Sequence, residues 1–164
     1  MFSRQKKQLE TKVVHHYVTF SLDDEEYGIP IANIREVIQI GRITSVPHSP
    51  DFLAGVMDMR GKIISMIDLR RKFNLEDFEK QSGARESRRA IVVNINDKPI
   101  GLIVDKVNKV VQFGSEIESA PPTVKGIRAS NIIGIGKVDS KFVILLNIEK
   151  ILTDDEMAAI QEHY

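Results

Sequence analysis

The chain is written twice, and this duplication constrains the fold more than any other feature of its 164 residues. Residues 17–39 (YVTFSLDDEEYGIPIANIREVIQ) lie without gaps on residues 90–112 (AIVVNINDKPIGLIVDKVNKVVQ) at an offset of 73. Apolar positions coincide throughout: Phe20 meets Val93, Leu22 meets Ile95, Ile29 meets Leu102, Ile34 meets Val107 and Val37 meets Val110. Asp24 falls on Asp97 and Gly28 on Gly101. A second block, residues 55–73 (GVMDMRGKIISMIDLRRKF), matches residues 134–152 (GIGKVDSKFVILLNIEKIL) at an offset of 79, so the second connector is six residues longer. Halves that repeat in order repeat a structural unit.

Each unit reads as short strands. Alternation at Val18, Phe20 and Leu22, an acidic turn over Asp23 to Glu26, then Tyr27 to Ile31 describe a two-stranded hairpin. Its counterpart is Ile91 to Ile95, the turn Asn96-Asp97-Lys98-Pro99, and Ile100 to Val104. The apolar spacing of Ala32 to Ile38, and of Asp105 to Val111, fits one helical turn as well as a strand, and we read a brief turn leading into a third strand. Proline-bearing connectors follow at Val46-Pro47-His48-Ser49-Pro50 and Ala120-Pro121-Pro122. The last block of each unit adds two strands, about Gly61 in the first and Asp139-Ser140 in the second.

Five strands per unit and no helix long enough to cover a sheet predict an all-β fold of two pseudo-symmetric, five-stranded β-barrels packed side by side, because closure removes exposed edges. The boundaries follow: a tail over 1–16, a first barrel over about 17–73, a polar linker over 74–88, a second barrel over 89–152 and a C-terminal helix over 153–164. Thr153 with Glu156 forms a capping-box signature, and Met157, Ala158 and Ile160 give that helix an apolar face.

Composition excludes several chemistries. Lys plus Arg and Asp plus Glu both total 23, so the net basic field of a dedicated nucleic-acid binder is missing. Cysteine is absent, which removes disulfides, zinc–thiolate sites and a cysteine nucleophile. The start MFSRQKKQLETK carries no apolar stretch after its basic residues, so a secretory signal is not expected, and a cytoplasmic location is. None of His15, His16, His48 and His163 has a second ligand at metal spacing. Asp68 aligns with Asn147, which suits a turn or cap better than proton transfer. No phosphate loop or nucleophile elbow is present. We therefore expect no catalytic residues, no metal and no cofactor. Two basic clusters, Arg70-Arg71-Lys72 and Arg85 with Arg88-Arg89, read as a solvated face or a protein contact. With no Trp and 6% aromatic residues there are few platforms for stacking bases.

Several separated motifs together resemble the CheW family: Tyr27-Gly28-Ile29-Pro30-Ile31, Ile34-Arg35-Glu36-Val37-Ile38, Gly55-Val56-Met57-Asp58-Met59-Arg60-Gly61, Ile67-Asp68-Leu69-Arg70, Gly101 to Val107 and Val143 to Ile148. The resemblance runs from about Tyr17 to Leu152. It implies SH3-like barrels and a non-enzymatic chemotaxis adaptor, monomeric when isolated, that joins chemoreceptor cytoplasmic tips to the regulatory domain of the histidine kinase CheA in arrays at the inner membrane. It implies neither nucleic acid nor membrane insertion. The family's receptor-binding groove falls here on Ile34, Glu36, Val37, Gly55, Arg60, Val107 and Val110, with Asp58 and Gly61 setting the turn beside Arg60; no kinase-binding residues are implied. Asp58 stands where the family has Asn, which keeps an acceptor and adds a charge. A CheW-like coupler of a pilus pathway and a nucleic-acid-binding barrel are the alternatives. A receiver-bearing CheV-like protein is not expected, because about ten residues follow the second barrel.

Overall fold

A computed structural model describes residues 14–75, 85–114, 116–124 and 127–161. Much of the expected tail, the middle of the expected linker and the last three residues lie outside them. Thirteen strands form in chain order: β1 (His15–Leu22), β2 (Glu25–Pro30), β3 (Ile34–Ile38), β4 (Ile43–Thr44), β5 (Leu53–Met59), β6 (Lys62–Asp68), β7 (Arg89–Ile95), β8 (Lys98–Val104), β9 (Lys106–Phe113), β10 (Thr123–Val124), β11 (Ile127–Arg128), β12 (Ile132–Val138) and β13 (Lys141–Leu146). Among the described residues two α-helices accompany them, α1 (Leu69–Lys72) and α2 (Asp154–Gln161). The all-β expectation holds. The helical turn expected before the third strand forms at Ile31–Asn33 but not at Asp105, whose carboxylate and N–H are held by Arg70, Asp23 and Ser21.

Sheet order departs from the expected division of the chain. One sheet runs β12-β13-β2-β1-β9 and the other β3-β7-β8-β6-β5-β4, so each takes strands from both halves and a boundary at 74–88 separates no sheets. The halves exchange their first hairpins. Alternation along a strand reveals which side is buried, but it cannot say which of two near-identical copies supplies the neighbour.

The exchange is reciprocal to the residue. Val37 of β3 faces Ile91 of β7, and Val110 of β9 faces Val18 of β1, the same pair after shifting by 73. Met66 runs parallel to Gly101, and Leu145 to Gly28. Even the irregularities recur, between Leu53 and Gly55 and again between Ile132 and Gly134. Both copies therefore fold to one design related by a pseudo-two-fold axis.

Exchange lets central strands such as β7 and β13 bury both faces. Ala90 and Val92 of β7 enter a small core with Met57, Ile64 and Met66, while Ile91, Val93 and Ile95 face the other way. Val143 and Leu145 of β13 likewise join Tyr17, Val111 and Phe113, and Ile144 and Leu146 point outward. The outward residues of both sheets merge into one large shared core with Phe20, Leu22, Tyr27, Ile100 and Leu102. At roughly 2 kcal/mol per fully buried aliphatic or aromatic side chain, that shared core is the main force holding the sheets together. The expected capping box is present: Thr153 N–H donates to Glu156 Oε1 (2.9 Å) and Glu156 N–H to Thr153 Oγ1 (3.1 Å). It starts α2, which sinks Met157 and Ile160 into the shared core.

The first basic cluster, read as a solvated face or a protein contact, divides: Arg71 is exposed, whereas Arg70 and Lys72 are drawn into the fold. Arg70 is 4% exposed and donates to Asp23 Oδ1 (2.6 Å) and Asp105 Oδ2 (2.7 Å), joining the β1–β2 turn, α1 and the β8–β9 corner. Lys72 pairs with Glu156 (2.6 Å) and lies over the Phe52 ring, which ties α1 to α2. From the second cluster, Arg88 reaches Asp68 at 3.7 Å. Asp68 also caps α1 by accepting from Arg70 N–H, as its match to Asn147 suggested. Among the described residues no helix is long and apolar enough to cross a membrane.

Candidate docking groove

The turn carrying Arg60 is built for projection. Met59 pairs with Lys62, leaving Arg60 and Gly61 as a two-residue loop with φ of 51° and 86°. Two positive φ values define the hairpin turn whose twist matches that of its strands, and glycine at the second position makes it accessible. Asp58 Oδ1 accepts from Gly61 N–H at 2.8 Å. The acceptor function expected of this position is thus present with Asp in place of Asn.

From that loop the Arg60 guanidinium reaches Glu36 on β3 and donates to its carboxylate. The Arg60 hydrogen bond holds the Glu36 carboxyl below its ordinary range, and Glu36 in turn pushes Arg60 up. Exposed ion pairs of this kind contribute little to folding, because both charges are well solvated. Their value is positional.

Around the pair the apolar candidates divide by exposure. Val37, 41% exposed, stands on the outer side of β3. Ile34 is half-buried against the shared core. Val110, 55% exposed, and half-buried Val107 occupy the equivalent places on β9, the edge strand of the other sheet. Ile34 and Val107 therefore sit at the rim of one shared core, and Val37 and Val110 stand clear of it. Gly55 makes no surface: it is buried, its φ is +147°, and a Cβ there would meet Thr44 O at 2.2 Å. It lets β4 close over β5. Asp58 and Gly61 are exposed turn residues.

One feature escaped the sequence reading. Lys109 Nζ pairs with Asp139 Oδ2 at 3.0 Å. These are the repeat equivalents of Glu36 and Arg60, at offsets of 73 and 79, so the two corners carry the same bridge with its charges reversed. Applying the offsets to Glu36 and Arg60 was the available signal. Each corner also exposes an apolar side chain three residues further on, at the start of the next strand, Ile63 and its equivalent Phe142. Among the described residues no three His, Asp or Glu side chains gather as a metal-binding group.

Comparison with known proteins agrees with this fold. The CheW-like domain family matches residues 16–156. The chemotaxis protein CheW of Helicobacter pylori is 34% identical, covering 94% of this chain and 95% of that protein. That of Klebsiella aerogenes is 33% identical, covering 90% and 87%. The crystal structure of the scaffolding protein TtCheW from Thermoanaerobacter tengcongensis superposes with a TM-score of 0.78 at 33% identity, covering 88% of this chain and 91% of that one. With a family match across most of its length and relatives above 30% identity, the chain belongs to the CheW family.

Proposed function

We propose that this chain is a non-enzymatic scaffold of chemotaxis signalling that couples the cytoplasmic tips of chemoreceptors to the histidine kinase CheA. The observation that carries the reading is the corner at Glu36, Val37 and Arg60: an exposed apolar side chain beside a charged pair that is free to exchange partners. Such a surface suits an amphipathic helical hairpin, whose apolar side chains supply affinity while charges set the register. Ile34 supports the floor of this surface and Val37 touches the partner, while Val107 and Val110 hold the equivalent places at the second corner. A scaffold of this kind works in the cytoplasm at receptor arrays, where it holds the kinase near the receptor and passes on small changes in helix packing.

Co-sedimentation of the full chain with a receptor cytoplasmic fragment and CheA tests the proposal. Both partners should bring it down, and Arg60→Ala should weaken the receptor interaction while leaving Tm nearly unchanged. Failure to bind either partner would sink the scaffold reading. A large drop in Tm for Arg60→Ala would make Arg60 structural and remove the corner from the interface.

A further inference from the structure

The pseudo-two-fold axis gives each position in one half a control in the other, and one cluster of positions differs in bulk. On β2, Tyr27 lies in the shared core with its ring stacked between Phe20 (5.6 Å between centroids) and Phe73 (5.8 Å). Beside it in the parallel pairing runs Ile144. The equivalents of Tyr27, Phe20 and Phe73 are Ile100, Val93 and Leu152, and that of Ile144 is Ser65. Ser65 lies opposite Ile100 in the matching register. Three rings and an isoleucine in one half are thus answered by three aliphatic side chains and a serine in the other.

Beside Ile100 and Ser65, two of these lighter positions, lies a pocket. It holds about 200 Å³ between the first residues of β6 and β8 and the covering helix α2, with Ile100, Met157 and Ile160 as apolar walls and Ile63 at the rim. An apolar cavity of about 150 Å³ already admits benzene. Two polar groups serve it. Ser65 is 1% exposed, and its Oγ has no hydrogen-bond partner among the described residues. A buried hydroxyl left so carries a desolvation cost that a ligand atom can recover. Lys98 lines the same pocket, is exposed, and forms no ion pair among the described residues.

We propose that this pocket binds a small monocyclic aromatic carboxylate: the ring packs against Ile100, Met157 and Ile160, a polar atom at one end meets Ser65 Oγ, and the carboxylate faces Lys98. The site meets the Glu36–Arg60 corner only at the rim residue Ile63 and lies under α2, so occupation ties that helix to β6 and β8.

The probe is 4-hydroxyphenylacetate, titrated into the full chain while the methyl resonances of Ile63, Ile100, Met157 and Ile160 are followed by NMR. Saturable shifts confined to these methyls, in the millimolar range, are expected. Lys98→Gln, at an exposed position, should weaken binding by roughly threefold to tenfold, the loss expected for one partly solvated charge-assisted contact. Ser65→Ala should weaken 4-hydroxyphenylacetate but not phenylacetate, which lacks the phenol. Para-cresol, which lacks the carboxylate, should bind the Lys98→Gln variant and the parent equally. Ile100→Tyr, which restores the ring of the other half, should abolish binding; if it fails to fold, the two milder variants decide. Absence of saturable shifts, shifts spread over the whole chain, or affinity indifferent to both Lys98→Gln and Ser65→Ala would overturn the proposal.

Discussion

Replacing Arg70 by Met removes a buried cation from between two carboxylates and leaves packing volume nearly unchanged. The two acids are not equally placed. Asp23 is one-third exposed and recovers water, whereas the Asp105 side chain is 10% exposed and its Oδ1 has no hydrogen-bond partner among the described residues. Burial already pushes the Asp105 carboxyl above its ordinary range, opposed by the Asp23 N–H and by Arg70. Breaking one partner from a buried pair costs about 3–5 kcal/mol, because it strands the other charge. For a domain of this size that is a fall in Tm of roughly 6–20 °C. The pH dependence has a defined sign. A carboxyl with a raised folded pKa holds its proton longer in the native state, so stability falls as pH rises from about 3.9 through the folded value. Loss of Arg70 extends that window upward. Urea unfolding should therefore show a large deficit for Arg70→Met near neutrality that narrows as pH falls and Asp105 takes up its proton, with an unchanged m-value. Arg70→Met/Asp105→Asn should regain more than half the loss. A deficit under about 1 kcal/mol, or one indifferent to pH and to Asp105→Asn, would refute the claim that Arg70 serves chiefly to neutralise a buried acid.

Gly55→Ala should cost about 2 kcal/mol or more by urea unfolding, since its φ of +147° and the 2.2 Å approach to Thr44 O leave a Cβ no space; a neutral result would show that β4 can lift without consequence. Thr153→Ala should cost about 1 kcal/mol and loosen α2, seen as faster amide exchange at Met157, because the Oγ1 that accepts from Glu156 N–H is lost while Thr153 N–H still donates to Glu156 Oε1. The Glu36 carboxyl should titrate below the usual value of about 4.3 and return to it in Arg60→Ala, read by carboxyl NMR; an unmoved midpoint would mean that the ion pair is not populated.

The repeat made the strands, their turns and the shared design legible, because period-two alternation at Val18, Phe20 and Leu22 and at Ile91, Val93 and Ile95 is imposed by one buried face. Strand exchange was not legible. Residues 17–30 fit beside either copy's remaining strands, and only the three-dimensional accounting of faces decides. Arg70 was misread for a related reason: a basic residue among basic residues looks solvated, and its carboxylate partners lie 47 and 35 positions away in the chain. The Glu36–Arg60 pair was expected only as two polar neighbours of an apolar strip. Its reversed counterpart at Lys109–Asp139 needed no coordinates, only the same two offsets applied to charges rather than to apolar residues.

That reversal bears on how a nearly two-fold molecule can join two different partners. The backbone offers the same corner twice, with matched registers, matched bulges and an exposed valine at each edge strand. A partner that read shape alone would bind both corners. Charge separates them: the hairpin tip is cationic at Arg60 and anionic at Asp139, and the strand behind it is anionic at Glu36 and cationic at Lys109. A helix presenting an acidic group to Arg60 meets a like charge at Asp139, and juxtaposed like charges are a stronger basis for discrimination than differences among attractive contacts. Exchanging the charges of the second corner, with Lys109→Glu and Asp139→Arg together, should therefore recruit a second receptor fragment where the parent chain binds one. Sedimentation measures that stoichiometry directly, and an unchanged one-to-one complex would mean that shape or the apolar side chains Ile63 and Phe142, not charge, tell the corners apart.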